Sequence, residues 1–175
     1  MTFRTKFLNI AYLKIGNARQ QLAYEEIKDL DVFCILREFN PVLTGTIPIA
    51  IDLPESDLDI ICEAKNLSDF EVLLRKHYGD KKCFKQYRNC IDGIESSITS
   101  FKGNHFTVEV FCQDFPVQQQ IAYRHLVIED KILRQKGEAF KEEIISLKKS
   151  GLKTEKAFAQ LLGLKGNPFK VLLEL

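Results

Sequence analysis

Between Leu43 and Cys62 the sequence runs LTGTIPIAIDLPESDLDIIC, and the alternation at its end limits the folds open to the chain. In an extended strand Leu58, Ile60 and Cys62 fall on one face, Asp57 and Asp59 on the other. An apolar strand that gives two same-face positions to acids is either solvated there or holding a cation. Twelve residues upstream of Asp57, Gly45-Thr46 supplies a glycine that lets backbone N–H groups approach phosphate oxygens, with a hydroxyl beside it.

The remaining periodicities build a fold around this segment. Asn17 is a helix cap, and Leu22, Ala23, Ile27, Leu30, Phe33 and Cys34 form an apolar stripe, which predicts a helix over 17–38 ended by Pro41. Residues 46–56 hold two prolines and read as a turn or a single helical turn, followed by a strand over 57–63. Ser68 is expected to cap a helix over Asp69–Tyr78 that stops at Gly79. Two strands, 83–91 and 94–101, are joined by Asp92-Gly93, a tight-turn pair, and Gly103-Asn104 leads into a strand over 105–112. In that strand Phe106, Val108, Val110 and Cys112 share one face, and His105, Thr107, Glu109 and Phe111 share the other. Helical periodicity follows over Val117–Lys136, Glu138–Lys149 and Thr154–Leu162, with a short segment after Pro168. The expected class is α/β (α+β): a mixed sheet with helices on one side at 1–115, and a C-terminal helical region at 116–175 packed on it.

Composition narrows the function classes. A chain of 175 residues buries enough surface to fold without disulfides or a structural metal. Its formal net charge of +1 gives no global field for nucleic acid or an anionic membrane. No apolar run is long enough to span a bilayer or serve as a secretion signal. The five cysteines have no metal-type spacing; their odd number suggests a reducing, cytoplasmic setting, and their apolar surroundings suggest buried thiols.

Asp57 and Asp59 acquire chemistry if a third acid joins them. Glu109 lies on a strand whose opposite face is strongly apolar, and adjacent strands would let the three carboxylates converge. Such a set of hard oxygens suits Mg²⁺ or Mn²⁺ rather than Zn²⁺ or Cu²⁺. The pattern Gly45-Thr46, Asp57-Leu58-Asp59 and Glu109 resembles the nucleotidyltransferase superfamily of DNA polymerase beta. More narrowly, GTIPIAIDLPESDLDIIC, VEVFCQDFPVQQQIAYRHLVIEDKIL and GLKTEKAFAQLLGL resemble an uncharacterised bacterial family of small nucleotidyltransferase-like proteins, a domain of unknown function. The superfamily resemblance implies Mg²⁺-dependent transfer of a nucleotidyl group from an NTP to a hydroxyl of a small molecule, RNA or protein. It implies Asp57, Asp59 and Glu109 as catalytic and metal-binding residues, with Glu109 also a candidate base. Gly45, Thr46, Ser56 and Arg124 are the phosphate-binding candidates. Thr46 stands where the superfamily usually has serine, and Ile49-Ala50 where many active members have Arg-Gly. The alternatives are an inactive nucleotide-binding or protein-interaction module with the same fold, and an antitoxin-like partner.

Several residues have plainer readings. His125 falls on the stripe Val117, Ile121, Ile128 and Ile132, the place of a hydrogen-bonded core histidine. Arg124 could pair with Glu129 or Asp130 instead of a phosphate. Gln118–Gln120 could cap, line the cleft or face solvent. Glu63 lies about 13 Å along the strand from Asp59, too far to share its metal. Asp52 and Glu55 read as solvent-facing loop acids. Lys153, Lys156 and Lys165 read as a solvated face, and Phe158, Leu161, Leu162 and Leu164 as core.

Overall fold

The structure is a computed structural model describing residues 3–91 and 93–175. Five strands form one mixed sheet in the order β1-β2-β5-β4-β3: β1 (Val42–Thr44), β2 (Leu58–Glu63), β3 (Lys85–Ile91), β4 (Ile94–Lys102) and β5 (Thr107–Gln113). β2 and β5 run parallel, and every other neighbouring pair is antiparallel. Interior strand β2 is apolar on both faces apart from Asp59 and Glu63, as expected of a strand covered on both sides.

Helices cover the two faces of this sheet, where the sequence suggested one side and an appended helical part. Leu58, Ile60, Cys62, Val108, Val110 and Cys112 pack against α1 (Ala18–Asp29) and α3 (Leu67–Tyr78). On the other face Val42, Ile61 and Phe111 join a second core. That core is built by α4 (Ile121–Lys136), α5 (Glu138–Lys149) and α6 (Thr154–Leu162), through Leu126, Ile144 and Phe158.

The long helix expected over 17–38 is broken. Asn17 does cap it, forming a reciprocal capping box with Gln20 at 2.9 and 3.1 Å. The chain then turns at Asp31, whose φ of +53° is left-handed and cannot continue a helix. A short α2 (Val32–Ile35) and a 3-10 turn (Arg37–Phe39) follow. The Leu30 carbonyl accepts the Tyr78 hydroxyl at 2.9 Å, a tertiary bond that local periodicity could not reveal.

Other boundaries shift for local reasons. Asn66, rather than Ser68, caps α3 by accepting from the Ser68 and Asp69 amides. β2 begins at Leu58, leaving Asp57 at its entry. The Val117–Lys136 segment splits into a 3-10 turn at Val117–Gln119 and α4, with Gln120 extended between them. The expected Asp92-Gly93 turn includes Asp92, which lies outside the described residues; Gly93 has φ +81°. A short α7 (Pro168–Val171) closes the helical part.

Buried Glu26 on α1 fixes the β4–β5 connection, accepting the backbone N–H of Asn104 at 2.6 Å and of His105 at 3.0 Å. Two amides satisfied by one carboxylate anchor the hairpin that presents Glu109.

Candidate functional site

The pleat and the register bring two of the three expected acids side by side. In the parallel β2–β5 pair Asp59 is directly opposite Glu109. The same row continues to Thr44 on β1, Ser100 on β4 and Lys85 on β3. Asp57 is exposed at the entry to β2, close enough for its charge to raise the pKa of Asp59 and of Glu109. Burial first, then the charges of Glu109 and Asp57, push the Asp59 carboxyl up to about 7, against an opposing pull from Lys148. Glu109 is raised by burial and then by Asp57. Both shifts arise first from burial and then from neighbouring acids, a combination of causes that recurs at functional sites.

Gly45 sits against this acid pair. Its φ is +73°, and a Cβ built there would run into the Asp59 carboxylate. Close approach of backbone to carboxylate is therefore the reason for glycine at this position. The loop that follows folds back on itself. Ile51 N–H donates to the Thr46 carbonyl at 3.2 Å, and Leu53 N–H donates to Ser56 Oγ at 2.9 Å. Thr46 Oγ1 lies 3.5 Å from Ser56 Oγ, which brings both candidate phosphate-binding hydroxyls to one place.

Ala50 stands in this loop with φ +57°, a left-handed conformation that favours glycine. It occupies the position where the superfamily often carries the glycine of Arg-Gly. Relief of the Cβ clash, partly offset by glycine's greater unfolded-state entropy, should make Ala50→Gly more stable by up to about 1 kcal/mol. A urea melt would read this as a higher midpoint, and a lower one would contradict it.

Three residues that sequence reasoning did not select hold the loop. Arg19 on α1 pairs with Asp52 at 3.3 Å and donates to the Pro54 carbonyl at 2.6 Å. Gln20 Nε2 donates to the Ile47 and Pro48 carbonyls at 2.9 and 3.1 Å. Lys148 on α5, buried, donates from Nζ to the Ile51 carbonyl at 2.5 Å. A signal for Lys148 existed: Phe140, Ile144 and Lys148 fall on one helical stripe, which puts a lysine at a core position.

Arg124 is not brought to the acids. It lies in the first turn of α4 and lines a groove of about 940 Å³ with Phe115, Gln118, Val127, Ile128 and Leu175. Asp130 pairs instead with Lys6 and Arg134, and Glu129 is buried, its carboxyl pushed up to about 8 by burial and then by Glu155. Gln118 and Gln119 line the same groove, whereas Gln120 is buried and bonds the Cys62 and Phe115 carbonyls. His125 is the expected core histidine: Nε2 is 2.9 Å from the Phe169 carbonyl and Nδ1 3.5 Å from Glu155. Glu63 is occupied structurally, accepting from Asn40 and from the Val117 amide. Lys153, Lys156 and Lys165 are exposed, and Phe158 is core. Asp52 is tied to Arg19 rather than free in water. Cys62 and Cys112 are buried, but Cys34, Cys83 and Cys90 are exposed, because two lie on the open faces of α2 and β3 and one in a loop.

Among the described residues no three His, Cys, Asp or Glu side chains form a ready-made cage for an ion. Mg²⁺ does not require one: it keeps several waters and typically takes one or two carboxylates, with substrate phosphate completing its shell. The all-oxygen donor set and the glycine approach beside Asp59 fit such an ion. Among the described residues no helix is long and apolar enough to cross a membrane.

The mixed five-stranded sheet with its flanking helices is similar to that of nucleotidyltransferase structures, a likeness of fold. The chain belongs to DUF4269, a domain of unknown function, which it matches over residues 25–175. Its fold is similar to that of a cytoplasmic RNA terminal U-transferase, with a TM-score of 0.52 at 15% identity over 83% of this chain and 45% of that one. It is also similar to the Cid1 poly(U) polymerase with Mg 3'-dATP bound, with a TM-score of 0.51 at 14% identity over 73% of this chain and 40% of that one. The chain therefore spans less than half the length of these structures, and the likeness at such identities is one of fold. No curated protein matches the sequence.

Proposed function

We propose that this protein transfers a nucleotidyl group from an NTP to a hydroxyl acceptor, using Mg²⁺ or Mn²⁺. The observation that carries the reading is the cross-strand pair Asp59–Glu109 with the Gly45 backbone pressed against Asp59. Asp57 and Asp59 would hold the cation, with Glu109 completing the set. Bound there, the ion would neutralise phosphate charge and lower the pKa of the attacking hydroxyl.

The chain's own residues have separate tasks in this reading. Gly45 allows phosphate oxygens to approach backbone N–H groups, and Thr46 and Ser56 offer hydroxyl donors. Glu109 accepts the acceptor's proton as its oxygen bonds to the α-phosphorus and the bond to pyrophosphate breaks. Arg124 is left out of the phosphate site, since it lines a different groove. The helical region 116–175 contributes by packing behind the loop. Acceptors to assay are small molecules, proteins and RNA, the last because the structurally similar proteins include RNA terminal uridylyl transferases.

Calorimetry with MgATP and MgUTP tests the binding half: Asp57→Asn should abolish a signal that the wild-type protein gives. Pyrophosphate release tests the chemistry. Loss of at least about 100-fold in Glu109→Gln, with nucleotide binding retained, is the scale expected for removing a general base. Wild-type protein that binds Mg²⁺·NTP but releases no pyrophosphate with any acceptor would be a binding module instead. Failure to bind either Mg²⁺ or NTP at millimolar concentration would end the enzyme reading.

A further inference from the structure

Lysine is almost never buried without a partner. Lys148 is 8% exposed, and its ammonium points from α5 into the loop between Gly45 and Asp57, 97 residues away in sequence. The bond it makes there is to the Ile51 carbonyl at 2.5 Å. Ile51 is itself fully buried, and its amide closes the turn on the Thr46 carbonyl at 3.2 Å. One residue further on, Asp52 is held by Arg19, whose guanidinium also reaches the Pro54 and Ser56 carbonyls. A single path therefore runs from Lys148 through Ile51 to Thr46 at one end of the loop, and through Asp52 to Ser56 at the other.

We propose that Lys148 is a positioning residue of the acid site, its ammonium holding the Gly45–Asp57 loop so that Thr46, Ser56 and Asp57 stay beside Asp59. This rests on the reading of Asp57, Asp59 and Glu109 as a site for a cation and an NTP. The charge matters as well as the bond. Burial lowers the Lys148 pKa, and the charges of Glu129, Asp52, Glu155 and Glu55 around it work the other way and favour the ammonium where loop and helices meet. The C-terminal helices thereby act on the site from behind, without any of their side chains entering the row of acids on the sheet.

The test is amide hydrogen exchange at Ala50 and Ile51, together with MgATP affinity, in wild type, Lys148→Met and Lys148→Arg. Ile144→Val on the same helix is a stability control. Lys148→Met should speed exchange at both loop amides, and weaken MgATP, by about tenfold or more, the scale of losing a hydrogen bond to a charged group. Amides of Ile60 and Val110 should be unaffected. Lys148→Arg, which keeps the charge and displaces the donor, should fall between. Ile144→Val should lower the melting temperature without selective loosening of the loop. If Lys148→Met does not fold, the Lys148→Arg comparison decides by the same two readouts. Loop amides exchanging at the wild-type rate in a folded Lys148 variant overturn the proposal. So does equal loosening in Ile144→Val, which would make the effect one of general stability. Faster loop exchange in a protein whose wild type binds no MgATP overturns the acid-site reading and supports the clamp itself.

Discussion

Asp59→Asn is expected to stabilise the metal-free protein at pH 8 and at the same time to remove Mg²⁺-dependent nucleotide binding. The unfolded carboxyl has a pKa of about 3.9, whereas burial, Glu109 and Asp57 push the folded one up to about 7. Below about pH 4 both states are protonated and Asp59 contributes nothing to the pH dependence. Between about pH 4 and 7 the unfolded chain releases a proton that the folded state keeps, so stability falls as pH rises. Above about pH 7 the penalty is complete and on the order of 4 kcal/mol. Asparagine cannot ionise and escapes most of it. Thermal melts in EDTA should show the wild type losing stability from pH 5 to pH 8 and Asp59→Asn losing much less. The variant should melt about 5–10 °C higher at pH 8, given roughly 2–4 °C per kcal/mol at this chain length. Added Mg²⁺ should raise the wild-type melting temperature and leave the variant unmoved. Parallel pH slopes in the two proteins would mean that Asp59 is not held in this environment.

Gly45→Ala should damage both the stability of the chain and its nucleotide binding. The residue has φ +73°, where a Cβ costs about 1–2 kcal/mol, and that Cβ would meet the Asp59 carboxylate. The carboxylate must then move away from Glu109, its cross-strand neighbour. Loss of MgATP binding is expected together with a fall in melting temperature of about 4–8 °C. Gly163→Ala separates the two effects, because Gly163 has φ +66° with open space around its α-carbon. It should lower stability and leave nucleotide binding intact. Equal binding losses in the two variants would refute a specific role for the Gly45 approach.

Much of the fold could be read because its signals are local. The limits of α5 and α6, the Asn17 cap and the apolar faces of β2 and β5 follow from side-chain period and capping chemistry. The break at Asp31 could not be read, since an apolar stripe continues across it and a tertiary bond from Tyr78 takes up the freed Leu30 carbonyl. Covering both sheet faces was also hidden: Ile61 and Phe111 look like isolated apolar residues among polar neighbours until α4–α6 fold over them. Arg124 shows the limit of chain proximity as a guide. It follows the third-acid strand closely in sequence, yet α4 begins beyond Glu63, at the far end of β2 from Asp59.

The sequence by itself determined that Leu58, Ile60 and Cys62 would face one way along β2 and Asp59 the other, and that Gly45-Thr46 would precede them, because strand pleat and glycine's freedom act over a few residues. Tertiary structure alone decided that Glu109 stands opposite Asp59, since strand pairing is set by how two distant segments register in a sheet. It also decided that Lys148 reaches the Ile51 carbonyl. A buried ammonium needs an acceptor, and that acceptor is available only after α5 has packed against the loop.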